Sequence, residues 1–313
     1  MSVVVFGSIN MDLVVRTPRL PAPGETLAGE TFFTAPGGKG ANQAVACARL
    51  GVPTRMVGRV GDDVFGGALR ESLQQNGVDI SGVVTDPPHS SGVAVIAVDA
   101  SAENSIIIVP GANGQVGADD IARLDPVLGD ARVLLLQLEV PLDAVVAAAR
   151  AARRRGVIVI LDPAPARPLP TELYSMVDIL TPNETEAAAL TGLPLDTDEE
   201  VRMAAGILLG RGVRQVIIKL GERGAYARSA DQAEGRFHAA FKVDTIDTVA
   251  AGDAFNGVLA AALAEGRSFD EAVRWGMAAG ALSTTRHGAQ PSMPTREEVM
   301  QLLNPLTKTG AIL

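Results

Sequence analysis

Cysteine occurs once in the 313-residue chain, at Cys47, so no intrachain disulfide can form and no thiolate cluster can hold a metal. Histidine is almost as scarce. His89, His238 and His287 lie far apart and show no HxxxH-type spacing, which argues against a histidine-built metal centre. Aromatic residues make up only 4 %, so the core falls to Ala, Val, Leu and Ile. Basic runs are missing as well, and the formal net charge is −9. Nucleic acids or anionic membranes would call for a concentrated positive surface, so neither is favoured as a partner. Apolar runs such as Val133–Leu136 and Val157–Leu161 are of strand length, not membrane length. The first apolar stretch, Val3–Phe6, is short for a signal peptide and no basic segment precedes it, so a cytoplasmic protein is expected. Two glycine fingerprints are absent too. No GxGxxG follows the first apolar run, which counts against a dinucleotide-dependent dehydrogenase. Lys39 precedes Gly40 instead of Ser or Thr, so the glycine-rich segment there is not a Walker A loop.

What is present is an ordinary globular balance, 47 % apolar and 20 % charged, in a chain long enough for one large domain or two modest ones. Nearly continuous apolar runs at Val3–Phe6, Val133–Leu138, Val157–Leu161, Val177–Leu180 and Val216–Leu220 predict strands buried on both faces. Ala-rich stretches between them, at Ala41–Leu50, Ala144–Arg153 and Val201–Leu209, predict helices. The alternation implies a three-layer α/β/α core with a mostly parallel sheet, whose ligands bind at the carboxyl ends of the strands. Two stretches break the pattern. Residues 13–35 are rich in Thr, Pro and Gly, and residues 91–109 alternate as Gly92–Val98 and Asn104–Val109 around a turn at Asp99–Glu103. We read them as a small β-sheet lid, with residues 1–12, 36–90 and 110–306 as the core and 307–313 as a tail; long surface loops are the alternative.

Three segments carry chemistry. Asp247–Gly257 is followed by Val258–Glu265; the second half of this stretch is a helix by composition, with Gly252 at its threshold. A helix opening offers unpaired N–H groups and a positive dipole end, suited to a phosphate. Ala250, Ala251 and Gly252 are small enough to admit one, and Asp253 would stand beside it as a general base. An aspartate there is also an ordinary N-cap. In Pro36–Gln43, Lys39 and Asn42 combine with Asn10 and Asp12 as a set able to donate to and accept from a vicinal diol. A glycine-rich turn with a solvated lysine is the plainer reading. Asn183–Glu186 could hold the water shell of Mg²⁺, or simply place acids at a helix start.

Together these segments resemble the ribokinase branch of the PfkB carbohydrate kinase family. The resemblance runs from Gly7 to about Pro294 and rests on Gly7–Asp12, Gly37–Ala44, Asp162–Arg167, Thr181–Glu186, Asp247–Gly257 and Gly288–Ser292. It implies an ATP-dependent phosphorylation of a sugar hydroxyl, O5 of D-ribose in the ribokinases, with another pentose such as 2-deoxyribose, or a nucleoside, as alternative acceptors. It implies Asp253 as catalytic base and the amides of Ala250, Ala251 and Gly252 as an anion hole. Asn10, Asp12, Gly38, Lys39, Gly40, Asn42 and Glu139 match sugar-contacting positions. Asn183, Lys219, Gly221, Glu222, Gly224 and Gly252 match positions that contact ATP, and Glu186 one that organises Mg²⁺. Asp247, Val249, Ser283, Arg286, Gly288 and Ser292 match a K⁺ site. In that branch the lid also joins two subunits, so a homodimer is expected. Two positions depart from the pattern: Ala250, where many members have Gly, and Met277, where related chains often have Asn or His near the adenine.

Overall fold

The computed structural model describes residues 1–100 and 104–304; the expected tail 307–313, the last residues of the expected core and positions 101–103 of the expected turn lie outside it. In chain order, β1 (Ser2–Phe6) leads to β2 (Asn10–Arg16), β3 (Thr31–Gly37), α1 (Lys39–Arg49), β4 (Thr54–Gly61), α2 (Val64–Gln75), β5 (Asp79–Asp86), β6 (Gly92–Val98) and β7 (Asn104–Val109). There follow α3 (Ala118–Val127), β8 (Ala131–Leu136), α4 (Leu142–Arg154), β9 (Ile158–Leu161), α5 (Thr171–Tyr174), β10 (Ile179–Leu180) and α6 (Glu184–Thr191). The rest is α7 (Asp198–Gly210), β11 (Gln215–Lys219), β12 (Ala225–Ser229), β13 (Arg236–His238), α8 (Ala251–Ala264), α9 (Phe269–Ser283) and α10 (Arg296–Leu303).

Nine strands form the main sheet in the order β13-β12-β11-β10-β9-β8-β1-β4-β5. It is parallel from β5 to β11, and only β12 and β13 run against their neighbours. The continuous apolar runs explain why. All five residues of β1 are buried, and successive side chains enter opposite layers. Val3 and Val5 pack with α1 and α8, whereas Val4 and Phe6 pack with α3 and α4. Each fully buried Val of this kind contributes about 1.5–3 kcal/mol of apolar transfer free energy. The expected three-layer α/β/α core is therefore present.

The apolar-run criterion passed over β4 and β5. Both carry charge: Arg55 reaches Asp130 at 2.5 Å, and Arg59 pairs with Asp86 and Asp120 at 2.9 and 2.8 Å. A second sheet of four strands, β3-β2-β6-β7, is built from the two irregular stretches. Its strands reach past the segments expected for it. Asn10 pairs with Gly37 and Asp12 with Ala35, so Asn10 and Asp12 belong to the small sheet.

One contact positions the site more than any other. α8 lies buried along α1, and a Cβ on Gly257 would fall 2.5 Å from Ala46 Cβ and 2.6 Å from the Gln43 carbonyl. Only glycine admits that approach, which brings the first turn of α8 to the first turn of α1.

Candidate active site

The carboxyl ends of the main-sheet strands open into a cleft of about 600 Å³, lined among others by Lys39, Asp162, Glu186, Lys219 and Asp253. Such a volume accommodates an organic ligand of cofactor size. α8 begins at its floor. Its N-cap, Ala250, has φ 59°, the left-handed region, and among the described residues it is the only non-glycine there. That conformation costs an L-residue about 1–2 kcal/mol, and backbone strain of this kind gathers at functional sites. No side chain among the described residues caps the helix. The Ala251 N–H donates to the Thr248 carbonyl at a long 3.3 Å, while those of Ala250 and Gly252 have no acceptor among the described residues. The helix thus opens into the cleft with free donors and the positive end of its dipole.

Asp253 is the third residue of α8 and does not act as its N-cap. It is 5 % exposed. Its Oδ2 accepts from Asn42 Nδ2 at 3.0 Å and its Oδ1 from Gln43 Nε2 at 3.1 Å. Burial raises its pKa; the Lys39 ammonium works in the opposite direction, and Asp162 adds to the rise. Burial disfavours the Lys39 cation, but Asp253, Asp162, Glu139 and Glu186 together hold it firmly protonated. The plain turn-lysine reading of Lys39 is therefore not what the structure shows: the side chain lines the cleft among carboxylates.

Beside Asp253, Glu139 gathers several of the residues matched to sugar-contacting positions. Its Oε2 accepts from Ser8 Oγ at 2.6 Å, the Lys39 main-chain N–H at 3.1 Å and Asn10 Nδ2 at 3.4 Å. Asn113 Nδ2 donates to Asn10 Oδ1 at 2.7 Å and so fixes which end of that amide faces the carboxylate. Gly38, at φ 87°, leads into α1, and its Cα hydrogens face the Asn10 main chain. Gly40 packs on Ser8 and Gly7. The Asp12 carboxyl is pushed up to about 7 by burial, then by the charges of Glu139 and Asp253. Asn10, Asp12, Gly38, Lys39, Gly40, Asn42, Glu139 and Asp253 are thus brought to one place. Ser8, which lies within the Gly7–Asp12 segment without being singled out there, and Asn113, which carried no signal, belong to that group; each acts across more than a hundred positions of chain.

Asn183, Lys219, Gly221, Glu222, Gly224 and Gly252 all line the cleft, which Lys39 and Asp253 join to the Glu139 group, and Met277 is buried in its wall. Lys219 Nζ pairs with Asp162 Oδ1 at 3.0 Å. Asn183 and Glu186 form a capping box at the start of α6, the Glu186 carboxylate accepting from Asn183 N at 2.8 Å and Nδ2 at 3.0 Å. The helix-start reading is correct for these two, and Glu186 faces the cleft as well. Burial, then the Asp162 charge, raise its pKa. Of the six positions matched to a cation site, three are joined directly. Asp247 accepts from the Gly288 N–H at 2.9 Å and the Val249 N–H at 3.0 Å. The Ser283 and Ser292 hydroxyls donate to the carbonyls of Gly280 and Ala289, and the Arg286 side chain is committed to Glu298.

The profile described as pfkB family carbohydrate kinase matches residues 1–296. The chain belongs to that family. Among curated relatives of this carbohydrate kinase, the ribokinase of Haemophilus influenzae is 42 % identical over 302 residues, 96 % of this chain and 98 % of the relative. A deoxyribokinase of Salmonella typhi is 39 % identical over 306 residues, 97 % and 99 % of the two chains. Among solved structures, the Arabidopsis thaliana ribokinase complexed with ribose and ATP superposes with a TM-score of 0.89 at 38 % identity, covering 96 % of this chain and 98 % of that one. No helix among the described residues of this carbohydrate kinase is long and apolar enough to cross a membrane.

Proposed function

We propose that the protein is a ribokinase, transferring the γ-phosphoryl group of ATP to O5 of D-ribose to give D-ribose 5-phosphate and ADP in the cytoplasm. The observation that carries the reading is Asp253: a buried carboxylate between a diol-binding set and an uncapped helix start. Asp253 takes the hydroxyl proton as the sugar oxygen bonds to the γ-phosphorus and the bond to the ADP oxygen breaks. Its raised pKa makes it a stronger proton acceptor than a solvated aspartate. Free N–H groups of Ala250 and Gly252, with Ala251 completing the turn, receive the charge on the transferred group. Asn10, Asp12 and Glu139 orient the sugar hydroxyls, and Lys39 adds a fixed positive charge near the reacting oxygens. Such transfers depend chiefly on positioning and electrostatics.

Glu186 fits a role in holding Mg²⁺ through water. Two lone-pair directions of its carboxylate remain after the capping box, and its unfavourable burial as an anion is relieved by a divalent cation. Bound with the nucleotide, the metal would screen the β- and γ-phosphate charge. For K⁺ the Asp247 carboxylate supplies a side-chain oxygen, the Ser283 and Ser292 hydroxyls keep lone pairs after donating their hydrogens, and Val249, Arg286 and Gly288 fit only as main-chain oxygen donors. That cation would shape the loop ahead of Ala250.

We assign the small sheet as the lid and as a homodimer contact. Phe33 and Ile106 share the face that carries Asp12, whereas Phe32, Val95 and Ile107 stand exposed on the other. A sheet apolar on both sides needs cover on both, one from the cleft and one from a second copy. Sedimentation of Ile107→Lys beside the parent chain tests this; an unchanged mass refutes it.

The activity is tested by ADP release with ATP and Mg²⁺ across ribose, 2-deoxyribose, other pentoses and nucleosides, in K⁺ and in Na⁺ buffers. Ribose should give the highest kcat/KM, and K⁺ should raise it. Best turnover with 2-deoxyribose would favour the reading suggested by the Salmonella relative. Equal rates in the two buffers would remove the K⁺ site.

A further inference from the structure

Behind the base lies a side chain that neither the diol set nor the nucleotide set uses. Gln43 and Gln137 are both fully buried. Gln43 Nε2 donates to Asp253 Oδ1 and to Asp162 Oδ2, each at 3.1 Å. Its Oε1 accepts from Gln137 Nε2 at 2.6 Å. One amide therefore spends both hydrogens on two carboxylates and its oxygen on a third group. The reverse orientation would set an oxygen against two anions and an amide nitrogen against another, so the network admits a single orientation.

The sequence makes room for this arrangement. Gln137 extends from the end of β8 over Gly7, and a Cβ on Gly7 would fall 2.0 Å from Gln137 Oε1. Gly257 lets α8 descend until Asp253 meets α1 at Gln43. On the far side Asp162 is held by Lys219, whose ammonium lies 3.3 Å from where a Cβ on Gly252 would be. The resulting chain runs Lys219, Asp162, Gln43, Asp253, from the nucleotide part of the cleft to the sugar part.

We propose that Gln43, locked by Gln137, is the positioning residue for Asp253: it fixes the carboxylate against the acceptor hydroxyl, sustains its anionic form and ties it to the Lys219–Asp162 pair. This rests on the kinase reading of the site. Without the amide, Asp253 keeps the Asn42 bond but loses its second donor and is free to rotate about it. The neighbouring Asp162 anion would also lose its shared donor, so the two carboxylates would oppose each other more strongly.

The test is the pH dependence of kcat/KM for ribose at saturating MgATP, with melting temperatures, for the parent chain, Gln43→Met and Gln137→Met. Met fills a similar volume without donors or acceptors. In Gln43→Met the acid limb should move up by about one pH unit, since removing a hydrogen bond to the charged form favours the neutral one. kcat should fall on the order of tenfold or more while KM for ATP stays within about twofold, as expected for a group acting in proton transfer. Gln137→Met, which leaves Gln43 in place but unlocks it, should shift the limb in the same direction by less. If Gln43→Met does not fold, Gln137→Met alone decides. Folded variants with an unmoved acid limb, or a loss confined to KM, would overturn the proposal and leave Gln43 a structural amide. A parent chain inert on every acceptor would overturn the kinase reading and this inference with it; an active parent with unmoved variants overturns the inference alone.

Discussion

Asp253→Asn should cost activity and raise stability together. The variant keeps the volume of a 5 %-exposed side chain and removes its negative charge. Without a base the acceptor hydroxyl must lose its proton unaided. General-base loss of this kind lowers kcat by about 10²–10⁴, or about 3–5 kcal/mol of barrier. The new amide also meets two donors, Asn42 Nδ2 and Gln43 Nε2, and can accept from only one with its oxygen. Against that lost bond stands the burial of an anion near Asp162, which raises the pKa of Asp253 in the folded chain. A carboxyl whose folded pKa exceeds its unfolded value binds more protons when folded, so it opposes folding as pH rises above the unfolded value. Neutralising it removes that opposition at neutral pH. The assay pairs steady-state kinetics with thermal melting of the unliganded protein at pH 7.5. A kcat within tenfold of the parent refutes the assignment of the base. A large kcat loss with a lower melting temperature refutes the electrostatic reasoning but not the base.

The same linkage applies to Asp12, whose folded pKa is about 7 against 3.8. Asp12→Asn should match the parent in stability near pH 4 and gain on it progressively up to about pH 7, levelling off above; a constant difference from pH 4 to 8 would show that charge is not the cause. Ala250→Gly should stabilise the chain by ~1 kcal/mol, because release of left-handed strain exceeds the entropy added to the unfolded state, with kcat within about twofold since the N–H is kept. Chemical denaturation would reveal the opposite sign if the φ of 59° were not strained.

The parts legible in the sequence were those written locally. Buried strands such as Ser2–Phe6 announce themselves as apolar runs, and Lys39, Asn42 and Asp253 stand in helix first turns that follow small residues or glycines. β4 was missed because Arg55 and Arg59 interrupt its apolar character and find their partners on other elements. α8 starts at Ala251, ahead of the Ala- and Leu-rich stretch from which a helix is read by composition, because its first turn is made of residues chosen for the cleft. Gln43, Gln137, Ser8 and Asn113 were not singled out. Their partners are reached only through tertiary contacts, and an isolated glutamine or serine in a sequence carries no sign of what it will face.

The contact between α1 and α8 also decides how this enzyme can be recombined. The proposed acceptor site is assembled around Glu139 from residues up to that position, and the proposed nucleotide side of the cleft mostly from Asn183 onward. A chimaera joined between those positions would draw its sugar half from one parent and its nucleotide half from another. The proposed base, Asp253, belongs to the second half by sequence, yet its donors Asn42 and Gln43 belong to the first. Exchange of acceptor preference between relatives therefore also requires that the parent supplying the second half bring a glycine at position 257 to meet Ala46 of the first.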